Sequence, residues 1–181
     1  MTTIDTARID SPIGPLILAA REGALVALHF GDAPDTLRGD LERRFGPCVF
    51  DEGPDPAGAV ARLRAYFGGD LAAIDAIPAE PGGTPFQRKV WDALRRIPVG
   101  TTVSYSELAR RIGAPETVRA VGTANGRNPI AVVIPCHRVI GADGSLTGYG
   151  GGLDRKEWLL AHECAATPRG QARLPIRQGS S

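Results

Sequence analysis

No stretch of this chain is apolar over the roughly 20 residues that cross a bilayer. Its first residues, Met1-Thr2-Thr3-Ile4-Asp5, lack the basic and then apolar regions of a secretory signal. These absences leave a cytoplasmic location and no membrane partner as the expectation. Cysteine is scarce: Cys48, Cys136 and Cys164 stand far apart with no C-x-x-C pair, which argues against a disulfide framework. His29, His137 and His162 add no recognisable metal-ligand spacing. No metal site is expected; only one assembled from distant residues would escape this reading.

A large charge of one sign is also missing, since the net charge is +1 over 181 residues. That balance hides an asymmetry. Residues 1–83 hold seven arginines against thirteen acids, a net of −6. Residues 84–128 hold eight basic residues against three acids, a net of +5, and residues 129–181 hold six against four, a net of +2. The middle segment is suited to a polyanion, although a solvated basic face gives the same count. Apolar residues make up 43% and charged residues 23%, the composition of an ordinary globular protein. The length suits one or two small domains with a real core.

Local signals divide the chain into an α+β fold. Two apolar runs, 16–20 and 24–28, flank a turn at Arg21-Glu22-Gly23 and predict a hairpin. Leu37, Leu41 and Phe45 recur at helical spacing, and a second helix is predicted over 57–67. The run 77–83, rich in Pro and Gly, reads as a linker. Thr84-Pro85-Phe86-Gln87 then predicts a capping box, with Phe86, Val90, Trp91, Leu94 and Ile97 on one helical face. Ser104-Tyr105-Ser106-Glu107 predicts a second box, Gly113 a helix stop, and Pro115 the start of a helix running to about Gly126. Two short helices joined by a Gly-containing turn make a helix-turn-helix pattern. The apolar run 130–134 predicts a buried strand or extended segment, and Val139-Ile140 and Leu146-Thr147 flank a turn. A last helix is predicted over 154–164. The resulting division is a domain over 1–77, a linker over 78–83, a domain over 84–165 and a disordered tail over 166–181.

Three features carry chemistry. Cys136 lies in Ile134-Pro135-Cys136-His137-Arg138-Val139, and positive charge beside a cysteine favours its thiolate. A lone cysteine is more often an inert buried residue, so the assignment depends on the neighbours. Glu163 stands three and four residues after Leu160 and Leu159, on the inward face of the last helix, where a carboxylate needs a partner. A Cys–His–Glu relay supplies one. Gly122, inside the small-residue helix that follows Arg119, costs roughly 1 kcal/mol relative to Ala. Either close helix packing or close approach to a narrow groove accounts for it.

Together these residues resemble the O6-alkylguanine–DNA alkyltransferase family, also called methylated-DNA–protein-cysteine methyltransferases. The motif Ile134-Pro135-Cys136-His137-Arg138-Val139-Ile140-Gly141 carries the resemblance. Arg119-Ala120-Val121-Gly122, Asn128-Pro129, Tyr149-Gly150-Gly151-Gly152-Leu153 and Lys156-Glu157-Trp158-Leu159-Leu160 support it in order. It implies an RNase H-like α/β N-terminal domain and a winged-helix-like C-terminal domain that binds the minor groove of double-stranded DNA. It implies a once-only, cofactor-free transfer of the alkyl group from a flipped O6-alkylguanine, and also from O4-alkylthymine, to Cys136.

On the same resemblance, His137 is the base acting through a water and Glu163 its orienting carboxylate. Tyr105 helps donate a proton to the leaving guanine, and Asn128 ties the recognition helix to the active-site segment. The guanine edge meets main-chain groups of Cys136, Val139 and Gly150, with Tyr149 and Gly151 in the pocket wall. Relatives often carry Ser where this chain has Gly150. Arg119 fills the space of the flipped nucleotide, Ala120, Gly122, Thr123 and Ser104 lie against DNA, and Arg127 meets a phosphate. The protein is expected to be a monomer in solution, with cooperative assembly on DNA left open. A lesion-binding protein without transfer, a cysteine hydrolase and a winged-helix regulator are the competing readings.

Overall fold

The computed structural model describes residues 1–166, so all but the first residue of the expected tail lies outside the described residues. The chain divides into two compact units: residues 1–81 with 129–133, and residues 82–128 with 134 onwards. Strand and helix occur in both, as the α+β expectation requires.

The first unit is a four-stranded sheet. Strands β1 (Thr2–Ile9), β2 (Leu16–Arg21), β3 (Ala24–Phe30) and β4 (Cys48–Glu52) lie in the order β3-β2-β1-β4. The first three pair antiparallel, and β4 runs parallel to β1. The predicted hairpin forms because Glu22 and Gly23 both take positive φ, 51° and 81°, the twist that a two-residue hairpin turn needs. Helix α1 (Pro34–Phe45) lays Leu37 and Leu41 into a core with Ile4, Ile17, Ala19, Val26 and Ala27. A 3-10 turn (Pro56–Gly58) precedes α2 (Ala59–Phe67), where one continuous helix was expected. Ala57 has φ 57°, outside helical geometry, so the α-helix begins after it.

Two stretches depart from the sequence reading. The Pro- and Gly-rich run after Ile77 is tied to β3 along part of its length. Leu25 donates its N–H to Pro78 (2.8 Å), and Glu80 donates to the Leu25 carbonyl (2.7 Å). An edge strand offers unpaired backbone groups, and proline can still accept there. Residues 130–134 are buried as expected but form a turn, with a single bridge from Ile130 to Leu28. Val132 has φ +70°, and Val133 donates to the Ala131 carbonyl (2.9 Å), closing a γ-turn that no strand geometry permits. Positive φ at a β-branched residue is held only where the surroundings fix it.

The second unit opens on α3 (Pro85–Arg95), whose predicted capping box is complete: Gln87 donates to Thr84 Oγ1 (3.1 Å) and Thr84 to Gln87 Oε1 (2.9 Å). Trp91 donates its indole N–H to the Ala124 carbonyl (2.9 Å). A short strand β5 (Val103–Ser104) leads into α4 (Tyr105–Arg111). Only half of the second box forms. Ser104 Oγ accepts from Glu107 N–H (3.1 Å), but the Glu107 carboxylate pairs with Arg110 (2.6 Å) and Arg111 (3.2 Å). Gly113, at φ +76°, donates to Arg110 while Ala114 donates to Ala109, a Schellman end.

Helix α5 (Val118–Gly126) starts three residues later than Pro115 predicted. The Thr117 N–H and hydroxyl both bond the Ala114 carbonyl, closing a separate turn first. Strand β6 (Val139–Ile140) pairs in parallel with β5, so Leu146-Thr147 does not complete a hairpin with it. Helix α6 (Leu153–Ala166) ends the described chain. Among the described residues, no helix is long and apolar enough to cross a membrane.

A Cβ on Gly113 would meet nothing within 4 Å, so Gly113→Ala tests the backbone alone. It is expected to destabilise the protein by about 1–2 kcal/mol, read as a lower urea midpoint at unchanged slope; an unchanged midpoint would contradict the left-handed helix end.

Candidate active site

The site is assembled where α5 ends and the chain re-enters the second unit. Pro135 takes φ −81° and ψ 65°, and Cys136 donates its N–H to the Ile134 carbonyl (2.8 Å), an inverse γ-turn. Proline suits it because its ring presets φ and it has no donor to leave unpaired. One 3-10 turn, Cys136–Arg138, then passes into β6. Asn125, near the end of α5, and Asn128, two residues beyond it, hold this segment. Asn128 Nδ2 donates to the Ile134 carbonyl (2.7 Å) and its side chain also bonds the Cys136 thiol. Asn125 Nδ2 approaches the Cys136 carbonyl at 3.5 Å.

Behind the cysteine lies a buried polar cluster. His137 Nε2 is 2.7 Å from Glu163 Oε1, with both side chains essentially inaccessible. Arg138 donates from Nε to Glu163 Oε2 (2.9 Å) and from Nη2 to Oε1 (2.9 Å), and from Nη1 to the Ile97 carbonyl (2.7 Å). Glu163 therefore has the partner that its inward position demanded, and has two. Burial pushes its carboxyl upward, but His137 and Arg138 outweigh that and hold it far below the usual carboxylate range. His137 Nδ1, the ring nitrogen turned from Glu163, is buried and bonds no protein group.

The electrostatics of the thiol differ from the sequence expectation. Arg138 is committed to Glu163 and Ile97. Burial pushes the Cys136 thiol above its ordinary value, opposed by Asn128 and by the charge of Lys156. Lys156 is wholly buried, donates from Nζ to the Thr147 carbonyl (2.9 Å), and is lowered by burial to about 8, with Cys136 acting in the opposite direction. No role for Lys156 was read from the sequence. The signal was present: 156, 159, 160 and 163 share the inward face of α6, so a lysine there faces the interior beside Glu163.

The other expected residues divide into two groups. Val139 is fully buried in β6. Tyr149 is half-buried, and burial, then the charges of Cys136 and Glu163, push its phenol well above its ordinary value, with Arg155 opposing. Gly151 is buried and Gly150 exposed. Tyr105 donates its hydroxyl to the Thr147 carbonyl (3.2 Å). On α5, Arg119, Ala120 and Thr123 are exposed and Gly122 is half-buried; Arg127, just beyond, is exposed. A Cβ on Gly122 would sit 3.8 Å from the Tyr105 ring, an ordinary contact, so packing within the protein does not require glycine there. Ser104, expected against DNA, accepts a helix-capping bond through its hydroxyl oxygen.

Removing one member of a buried ionic cluster leaves the others uncompensated, at a cost of about 3–5 kcal/mol. Glu163→Gln is expected to lower the unfolding free energy by about that amount in urea titration. A loss under about 1 kcal/mol would show that the cluster does not anchor α6.

Residues 6–81 match the ribonuclease-like domain of the 6-O-methylguanine DNA methyltransferase family, and residues 85–165 match its DNA-binding domain. The chain is 50% identical over 163 residues to a methylated-DNA–protein-cysteine methyltransferase of Mycobacterium tuberculosis, covering 88% of this chain and 92% of that one. A relative of the same name from Shigella flexneri is 44% identical over 159 residues, covering 86% and 93%. The crystal structure of Mycobacterium tuberculosis OGT in complex with DNA is similar with a TM-score of 0.75 at 45% identity, covering 91% of this chain and 96% of that one. With both of the family's domains matched in order, and with Cys136, His137 and Glu163 gathered in the second, the chain belongs to the 6-O-methylguanine DNA methyltransferase family.

Proposed function

We propose that this protein repairs duplex DNA by moving the alkyl group of O6-alkylguanine, or of O4-alkylthymine, onto Cys136 Sγ once per molecule. One observation carries the reading. The chain just beyond α5 holds the reactive segment directly, through Asn128 on the Ile134 carbonyl and the Cys136 thiol. The helix that presents Arg119, Ala120, Gly122 and Thr123 outward thus leads directly into the residue that holds the thiol.

The chemistry follows from where protons can go. Burial disfavours the Cys136 thiolate, so attack is helped by a base. His137 suits that role: Nε2 is oriented by Glu163, and the buried Nδ1 remains to take the thiol proton through a water. Lys156 favours the thiolate that forms. The sulfur then attacks the alkyl carbon in line as the bond to O6 breaks. The electron pair leaves with the base, and a proton delivered through Tyr105 makes that leaving group neutral guanine. The product is a thioether with no easy hydrolytic exit, so the protein is consumed. A thiol buried in a pocket cannot reach a stacked base, which requires flipping. Arg119 fills the vacated space, and Arg127 contacts a phosphate.

Incubation with a duplex bearing O6-methylguanine is expected to leave one methyl on Cys136, mapped by peptide mass spectrometry. Cys136→Ser is expected to bind that duplex without reaction. Tight binding by the unaltered protein with no adduct would instead support a lesion binder, and ester turnover without adduct a hydrolase. For Arg119→Ala, reaction with duplex lesions should fall about tenfold or more, from loss of an inserted cation, while reaction with free O6-benzylguanine is spared. Equal losses on both would exclude a flipping role.

A further inference from the structure

The loop 147–152 is rich in glycine. Four of its six residues are glycine, and Gly148 and Gly152 take φ 47° and 90°. A Cβ on Gly150 would meet nothing within 4 Å. Glycine loses more backbone freedom on ordering than any other residue, so a fixed loop shape has to be imposed from outside. Within the loop, Gly152 donates to the Tyr149 carbonyl (2.9 Å). Lys156 donates its N–H to the Gly152 carbonyl (3.2 Å), and three side chains also reach the loop. Tyr105 and Lys156 both donate to the Thr147 carbonyl (3.2 and 2.9 Å), at the loop's start. Arg155 donates from Nη1 to the Gly151 carbonyl (2.9 Å), at its far end, and its charge also acts on Tyr149.

These anchors are not equivalent. Lys156 acts on Cys136 directly, and Tyr105 belongs to the proposed proton path. Arg155 touches the loop, beside the residues assigned to the pocket wall. We propose that Arg155 is a specificity-determining positioning residue: by holding the Gly151 carbonyl it fixes the wall formed by residues 149–151 and sets the largest alkyl group that Cys136 accepts. This rests on Cys136 as the alkyl acceptor. Release of the carbonyl lets the glycine segment move outward, which admits bulky groups and leaves a methyl group little affected.

The test compares the full-length protein with Arg155→Ala and Arg155→Lys in single-turnover reactions. The substrates are duplexes bearing O6-methylguanine or O6-benzylguanine, and the reaction amplitude counts active molecules. Arg155→Ala is expected to raise the benzyl-to-methyl ratio of rate constants about five- to tenfold, the scale of one ordinary net hydrogen bond. Arg155→Lys, which keeps a cationic donor, should return the ratio toward the original value. A purely structural role would lower the amplitude or both rate constants alike, and either that result or an unchanged ratio overturns the proposal. Methyl transfer by the unaltered protein with no change of ratio overturns this inference alone; no transfer from either duplex overturns it together with the reading of Cys136.

Discussion

The Glu163 carboxylate, buried on α6 and bonded by both His137 and Arg138, is the interaction on which the second unit depends. A carboxylate without water is costly, and it is held here because an imidazole and a bidentate guanidinium take up its oxygens. The consequence is geometric. His137 and Arg138 follow Cys136 in one 3-10 turn, so fixing them to α6 also fixes the cysteine. On the other side, Asn128 ties the same segment to the chain just beyond α5. The thiol is therefore located between two helices by polar bonds, of which those to Glu163 are buried.

This arrangement separates two tasks that adjacency in sequence merges. Arg138 lies two residues from Cys136, yet its hydrogen bonds go to Glu163 and Ile97. Lys156 lies twenty residues away along the chain and is the cation that acts on the thiol. Burial raises the thiol and lowers the lysine, so each resists ionisation in isolation, and each favours the charged form of the other. Burial thus disfavours the Cys136 thiolate, and Lys156 offsets part of that cost.

Much of the local structure was legible in the sequence. The Thr84–Gln87 box, the Gly113 helix end and the Glu22-Gly23 turn each rest on interactions within a few residues, and each formed as read. Where local rules competed, packing decided. Residues 130–134 are as apolar as a strand, but Val132 at positive φ turns them back. The Pro-rich run after Ile77 has the composition of a linker, but the open edge of β3 accepts it at Pro78 and Glu80. Ser104 caps α4, while Glu107 pairs with the arginines on its own helix instead of closing the box.

By itself, the sequence determined the family, through motifs whose order and spacing are covalent facts, and the two-part α+β division, through hydrophobic periods and helix ends. It also placed Glu163 on an inward face, because a helix repeats every 3.6 residues whatever lies opposite. Only the tertiary structure decided which charge meets which. The Arg138–Glu163 bonds span 25 residues and the Tyr105–Thr147 bond spans 42. Such partners are set by how packed helices present their faces, and no local rule ranks one buried cation above another. For the same reason, the hold of Arg155 on Gly151 became visible only once α6 and the glycine loop were seen together.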